Sequence, residues 1–272
     1  MQREILVCVD GTQAGAGPVP QALALAKACR ARLTIAVLTA EPDLHVTSFA
    51  GVDAVAQTRM VEELRAATSE TLKSVQAPIA DTPVPTTLEV ESGGVSQLAA
   101  WVQARARTAD LMVIGAVESF SDPWYWTRLV EGALFGSGRP VAVIPVGAEP
   151  SAWSHAALGW NASREATRAF HDALPWLSAG ARLDIILFEP EANDAGAEIA
   201  QAGDRLGFHT ALHPLPLPIE PMGEALQAFA IGRAADVLIV GAYGRSRFRE
   251  FLLGGVTRDV LGHTRLPVLL SH

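Results

Sequence analysis

Short apolar runs rich in β-branched residues alternate along the chain with longer segments of helical period. This pattern produces strand–helix–strand crossovers and a parallel sheet. Runs such as LMVIG at 111–115 and DVLIVG at 236–241 are apolar throughout, without the period-two alternation of a half-exposed strand. Strands of that kind are covered by helices on both faces. The first part of the chain predicts strands at 5–9, 33–38, 86–90, 111–115 and 141–145, with helices over 19–30, 52–75, 96–107 and 129–135. A second set follows, with strands at 157–160, 183–188, 209–213, 237–241 and 268–270 and helices over 163–177, 197–206, 220–232 and 255–261. The fold class is α/β, as two tandem, doubly wound parallel-sheet domains.

The two sets are copies of one unit. Asp10 in CVDGT falls on Asn161 in GWNAS, and Ala31-Arg32-Leu33 falls on Ala181-Arg182-Leu183, an offset of 150 to 151. Further along, Ala109-Asp110 falls on Ala235-Asp236 and Pro140 on Pro267, an offset of 126 to 127. The first copy therefore holds about 24 extra residues between its second and fourth strands, where connections vary most freely in length. A chain of 272 residues divides naturally into two compact units, expected at 1–148 and 152–272. The final strand of each copy would leave unpaired N–H and C=O groups on an apolar edge, so the two are expected to pair with each other as an intrachain pseudo-dimer. A homodimer of whole chains is also compatible with the pattern.

Composition narrows the function. Hydrophobic residues make up 49% of the chain and charged residues 18%, enough to build a core and too little charge for a disordered chain. A net charge of −8 argues against a nucleic-acid surface. The start MQREILVCVDG has no long apolar core of a signal peptide, and no later run is apolar for membrane length, so a cytoplasmic protein without a membrane partner is expected. The two cysteines, Cys8 in a strand and Cys29 in a helix, form neither a disulfide framework nor a metal spacing.

In open sheets of this kind ligands sit beyond the carboxyl ends of the strands, where strand order reverses. There the second copy carries Gly241-Ala-Tyr-Gly244, nine residues RSRFREFLL, then Gly254-Gly255-Val256-Thr257 opening a helix. Glycines let a ligand approach the backbone, and a Gly-Gly pair before a helix exposes N–H groups at the positive end of its dipole. The spacing G-x2-G-x9-G-[S/T] after a strand resembles the ATP-binding signature of the universal stress protein family, whose fold is Rossmann-like and adenine nucleotide alpha hydrolase-like. The likeness runs over both copies. It implies a stress-response protein binding ATP, or ADP or AMP, with or without Mg, and an unidentified protein partner. By the same resemblance Gly241 and Gly244 line the ribose and phosphate path, Gly254 and Gly255 offer amides to phosphates, Val256 and Thr257 lie at the first helical turn, and Asn161 and Phe188 border the adenine. The family often has Asp where Asn161 stands and Ser or Thr where Gly255 stands, so a hydroxyl contact to phosphate is gone.

In the first copy Gly115 matches Gly241, but Glu118, Arg128 and Leu129 stand where Gly244, Gly254 and Gly255 would be. That site is expected to be degenerate. Asp10 persists there and reads as a cap or loop acceptor. Other constellations are weaker. There is no Walker A motif, Pro20 replaces the third glycine after Gly15-Ala-Gly17, and Ser246 lacks a nucleophile elbow. His209 and His213, on one strand face roughly 13 Å apart, are too distant for one metal ion. Arg245, Arg247 and Arg249 read as solvated or phosphate-reaching side chains, and Trp124, Tyr125 and Trp126 as core packing, a plug for the vacated pocket or a partner patch. With no paired base, metal cluster or nucleophile, any ATP hydrolysis is expected to be slow. The alternative function is an interaction or scaffold module of the same fold that needs no nucleotide.

Overall fold

Apolar strands buried on both faces need continuous cover and continuous pairing, and the chain meets both needs with one sheet. The computed structural model describes residues 2–13, 15–41, 54–188, 194–242 and 255–272. The first half contains β1 (Glu4–Asp10), α1 (Val19–Cys29), β2 (Arg32–Ala40), α2 (Ala54–Ile79), β3 (Thr86–Gly93), α3 (Val95–Ala106), β4 (Leu111–Gly115), α4 (Pro123–Gly136) and β5 (Val141–Ile144). The second contains β6 (Trp153–Gly159), α5 (Arg164–Ala173), β7 (Leu177–Phe188), α6 (Asp194–Arg205), β8 (His209–Leu215), α7 (Met222–Gly232), β9 (Val237–Gly241), α8 (Gly255–Gly262) and β10 (Val268–Ser271).

The strand order is β3-β2-β1-β4-β5-β10-β9-β6-β7-β8. Every neighbouring pair is parallel except β5 and β10. Successive side chains of β1 go to opposite faces. Ile5, Val7 and Val9 pack with Leu25 of α1, Val75 of α2, Phe170 of α5 and Ile199 of α6 in one core cluster. Leu6 and Cys8 pack with Val102 of α3, Leu129 of α4, Leu226 of α7 and Val260 of α8 in the other. Burial pushes the Cys8 thiol up to about 12 and raises that of Cys29 as well, so both stay protonated at neutral pH.

The two final strands meet as the edge argument expects. Val268 pairs with Val143, Leu269 with Ala142 and Leu270 with Val141, antiparallel, joining the two five-strand halves into one ten-stranded sheet. Buried Gln21 of α1 reinforces the junction by donating to the Ser151 carbonyl at 2.8 Å and accepting from its N–H at 3.0 Å.

The largest departures from the sequence-based bounds are in α4, α5, β6 and β7. Helix α4 starts at Pro123, six positions before 129, because Asp122 accepts from the Trp124 N–H and Pro123 fits the first turn. Tyr125 and Trp126 are thereby drawn into the core while Trp124 stays 57% exposed. Helix α5 stops at Ala173; Pro175 follows within a 3₁₀ turn, and β7 begins at Leu177, inside the predicted helix. The extra residues of the first half lie in the β2–β3 crossover, which holds the 26-residue α2 where the β7–β8 crossover holds the 12-residue α6. From α2, buried Thr71 shares its hydroxyl between the carbonyls of Gly11 and Gln13, bracing the loop after β1.

A buried carboxylate fixes the second half. Asp184 of β7 is fully buried and accepts from His155 of β6 at 2.9 Å and His213 of β8 at 3.1 Å. Arg182 and Arg233 donate to it at 3.1 and 3.0 Å. His213 is therefore a packing histidine, and among the described residues no group of side chains could hold a metal ion. Burial opposes the charge on Asp184, but the hydrogen bonds of His155, His213 and Arg182 outweigh it and hold the carboxyl below its ordinary 3.8.

Two outcomes follow for stability. Leu269→Ala, at a fully buried position in β10, should cost about 2–5 kcal/mol in urea denaturation, and Val268→Pro should be at least as harmful because a central strand loses a donor. A loss below about 1 kcal/mol from both would show that this pairing contributes little. For Asp184, the folded-state pKa lies below the unfolded one, so its stabilisation is complete above the unfolded value and is lost as pH falls through the folded value. Asp184→Asn should cost about 3–5 kcal/mol at neutral pH, and the gap to the parent should narrow below pH 3.8; a pH-independent gap would refute the charge-based account.

Candidate functional site

Strand order reverses twice, between β1 and β4 and between β6 and β9, so the chain has two crevices at the carboxyl edge of its sheet. In the second half Gly159 of β6 lies opposite Val240 of β9, which places Asn161 and Gly241 at adjacent strand ends. The Trp160 N–H donates to the Ile186 carbonyl at 2.8 Å, keeping the end of β7 alongside. Asn161 is exposed, and its Oδ1 accepts from the Ser163 N–H at 3.1 Å across a turn in which Ala162 takes a φ of 54°. Among the described residues its Nδ2 donates no hydrogen bond. Ser163 then caps α5, accepting from the Ala166 N–H at 3.1 Å.

Gly241 has a packing reason of its own. A Cβ there would lie 2.5 Å from the Ala166 nitrogen and 2.6 Å from the Glu165 carbonyl carbon, because the first turn of α5 crosses directly over the end of β9. Phe188, at the end of β7, is only 6% exposed and belongs to the core cluster with Val240, Ala242 and Val260. Gly255, Val256 and Thr257 form the first turn of α8. Gly244 and Gly254, with Arg245, Arg247 and Arg249, lie outside the described residues. The structure thus brings together Asn161, Gly241 and the end of β7, and puts Gly255, Val256 and Thr257 at a helix start.

The first crevice is wired differently. Asp10 is buried and all four of its acceptor positions are used: Oδ1 accepts from the Thr12 N–H and hydroxyl, both at 2.8 Å, and Oδ2 from the Ser121 N–H and hydroxyl, both at 2.7 Å. Asp122 caps α4 through the Trp124 N–H at 2.7 Å. The amides that a phosphate would use are thus answered by carboxylates of the chain itself. Trp126 donates its indole N–H to the Gly115 carbonyl at 2.8 Å, and Leu129 is fully buried in the core. Burial, and after it the charge of Asp10 and the neighbouring Cys8, raise the pKa of the Tyr125 phenol. Ser121 and Asp122 were missed as site residues by sequence reasoning, although Asp122-Pro123 is a helix-start signal.

A doubly wound α/β sheet with a crevice at each reversal defines the Rossmann-like class of ligand-binding folds. Within it the chain belongs to the universal stress protein family, whose model matches residues 1–137 and 218–272. Among solved structures it is similar to a universal stress protein from Archaeoglobus fulgidus DSM 4304, with a TM-score of 0.70 and 16% identity, over 98% of this chain and 95% of that one. It is also similar to a protein described as a universal stress protein from Pseudomonas aeruginosa UCBPP-PA14, with a TM-score of 0.58 and 15% identity, over 99% and 93% of the two chains. At such identities the likeness speaks for the fold. No curated protein matches the chain. No helix among the described residues is long and apolar enough to cross a membrane.

The approach of α5 makes Gly241 testable without any ligand. Gly241→Ala should cost about 1–3 kcal/mol in thermal or urea denaturation of the ligand-free protein, since backbone rather than a side-chain end must move. Unchanged stability would show that α5 does not need the glycine.

Proposed function

We propose that the chain is a regulatory stress-response protein that binds one adenine nucleotide, ATP or the related ADP or AMP, in its C-terminal unit. The units are taken as residues 1–148 and 152–272. What carries the reading is the contrast between the crevices. At the first, Asp10 and Asp122 already occupy the loop and helix-start amides. At the second, Asn161 stands exposed with its Nδ2 uncommitted among the described residues, at the strand end next to that of Gly241, the residue that opens the glycine-rich sequence leading to α8.

The residues present fit such a ligand. The Asn161 amide can donate to a ribose or base oxygen or nitrogen, and the first-turn amides of α8 suit phosphate. A bound nucleotide would supply a polyanion whose phosphates could themselves carry Mg. Asn161 would orient the nucleoside, Phe188 would border the adenine, Gly241 and Gly244 would let the backbone close on the ribose and phosphates, and Gly254, Gly255, Val256 and Thr257 would hold the phosphate end.

A second reading has its own support: the packing roles of Gly241 and Phe188 account for those two residues with no nucleotide at all. In that reading the chain is an interaction module of the same fold. Calorimetric titration of the full chain with ATP, ADP and AMP separates the two. The expected result is one site per chain, lost in Gly244→Glu, with stabilisation of about 2.7 kcal/mol at a hundredfold excess over Kd. No binding by any of the three would leave the interaction module standing, and two equivalent sites would overturn the assignment to one unit.

A further inference from the structure

The crevice of the first half is not filled in. Between the ends of β1, β4 and β5 and the start of α1 lies a cavity of about 340 Å³, within the size range of small-molecule sites. Its walls are largely apolar, built by Val9, Pro18, Phe120, Ile144, Pro145 and Val146. Its polar chemistry is one-sided. Asp10 and Glu118 both line it, and among the described residues no lysine, arginine or histidine does. Of its side-chain donors, the Ser119 hydroxyl donates to the Ala116 carbonyl at 2.6 Å and the Gln21 amide is held by both backbone groups of Ser151, which leaves the neutral amide of Gln13. Pro18 and Pro20 remove two N–H groups from the start of α1.

Asp10, although saturated with hydrogen bonds, leaves its negative charge in the wall of the cavity. Glu118 is exposed at the rim and makes no ion pair or hydrogen bond among the described residues, so its carboxylate has open acceptor positions. An anion entering this space would meet two carboxylates and no compensating cation, which is the costly arrangement. A cation carrying an apolar body would bury that body against Val9, Phe120 and Ile144 and place its charge between Glu118 and the field of Asp10.

We propose that this cavity is a binding site for a small organic cation, an amine or amidinium on an apolar body, separate from the nucleotide site proposed for the second half. Divergence of the two halves has then not merely silenced one crevice; it has reversed the charge of the ligand accepted.

Benzamidine and its anionic counterpart benzoate are suitable probes, titrated calorimetrically into the full-length chain at low ionic strength. Benzamidine is expected to bind at one site per chain and to raise the thermal midpoint, while benzoate is not. Glu118→Gln should weaken benzamidine about tenfold, the loss of one charge-assisted hydrogen bond. Glu118→Lys should abolish benzamidine binding and admit benzoate. Because Glu118 is exposed, circular dichroism and the ligand-free melting temperature of both variants should match the parent. Benzamidine affinity should be unchanged in Gly244→Glu, so the result stands whether or not ATP binds the second half. No benzamidine binding at millimolar concentration, equal binding of benzoate, or indifference to both Glu118 substitutions would each overturn the proposal.

Discussion

The pairing of β5 with β10 is the constraint around which the molecule is arranged. Each half ends in a short strand whose four residues are all buried, and such a strand cannot end a sheet in water without stranding its backbone donors and acceptors on an apolar edge. Joining the two ends antiparallel satisfies both at once and makes a single sheet with only β3 and β8 as its margins. Those margins are the strands whose burial alternates along the chain, as a partly wetted edge requires. The link through Gln21 and Ser151 follows from the same arrangement, since the connecting segment must return across α1 to start β6.

Because the sheet and its two helical layers are set by strand pairing and apolar faces, the crevices are free to differ. In the first half a carboxylate at the end of β1 turns inward and binds the loop after β4, and the helix that follows begins early under an acidic cap. In the second half the equivalent position is an asparagine that makes the same turn with the residue two ahead, as Asn161 does with Ser163 and Asp10 with Thr12, yet reaches no partner across the crevice among the described residues. Among the described residues the helix α8 begins at Gly255. One difference of side-chain type, aspartate against asparagine, thus leaves the first strand-end residue tied across its crevice and the second untied among the described residues, with little change to the core.

The strand interiors were legible in the sequence because continuous apolar runs admit few alternatives: β4 and β9 fall within their predicted bounds to the residue. The starts of β6 and β7 were not legible, since Trp153, Ser154 and His155 carry mixed polarity and pair across a register shift. The polar cluster around Asp184 escaped because its members come from β6, β7, β8 and the end of α7, and only the folded sheet brings them together. For the candidate site the glycine spacing pointed to the carboxyl edge of the sheet, where Gly241 follows Val240 and Asn161 lies two residues beyond its partner Gly159. The roles of Ser121 and Asp122 depend on a loop conformation that no periodicity encodes.

The comparison of halves also shows which residues of the glycine signature carry information about a ligand. Gly241 and its counterpart Gly115 are both glycine, and each has a steric reason unconnected with nucleotide. A Cβ on Gly115 would collide with Ser119, and one on Gly241 with the backbone of α5. At Gly241 the glycine is therefore required by the approach of α5, whereas at Gly115 the overlap is with a side-chain hydroxyl that can turn away. The positions that discriminate are those where the halves disagree, Gly244 against Glu118 and Gly254-Gly255 against Arg128-Leu129. At the first of them the side chain of Glu118 is exposed on the rim of a cavity, and at the last Leu129 is buried within the helix α4. In the first half the strand-end glycine shapes the crevice, and Glu118 supplies a carboxylate at its rim.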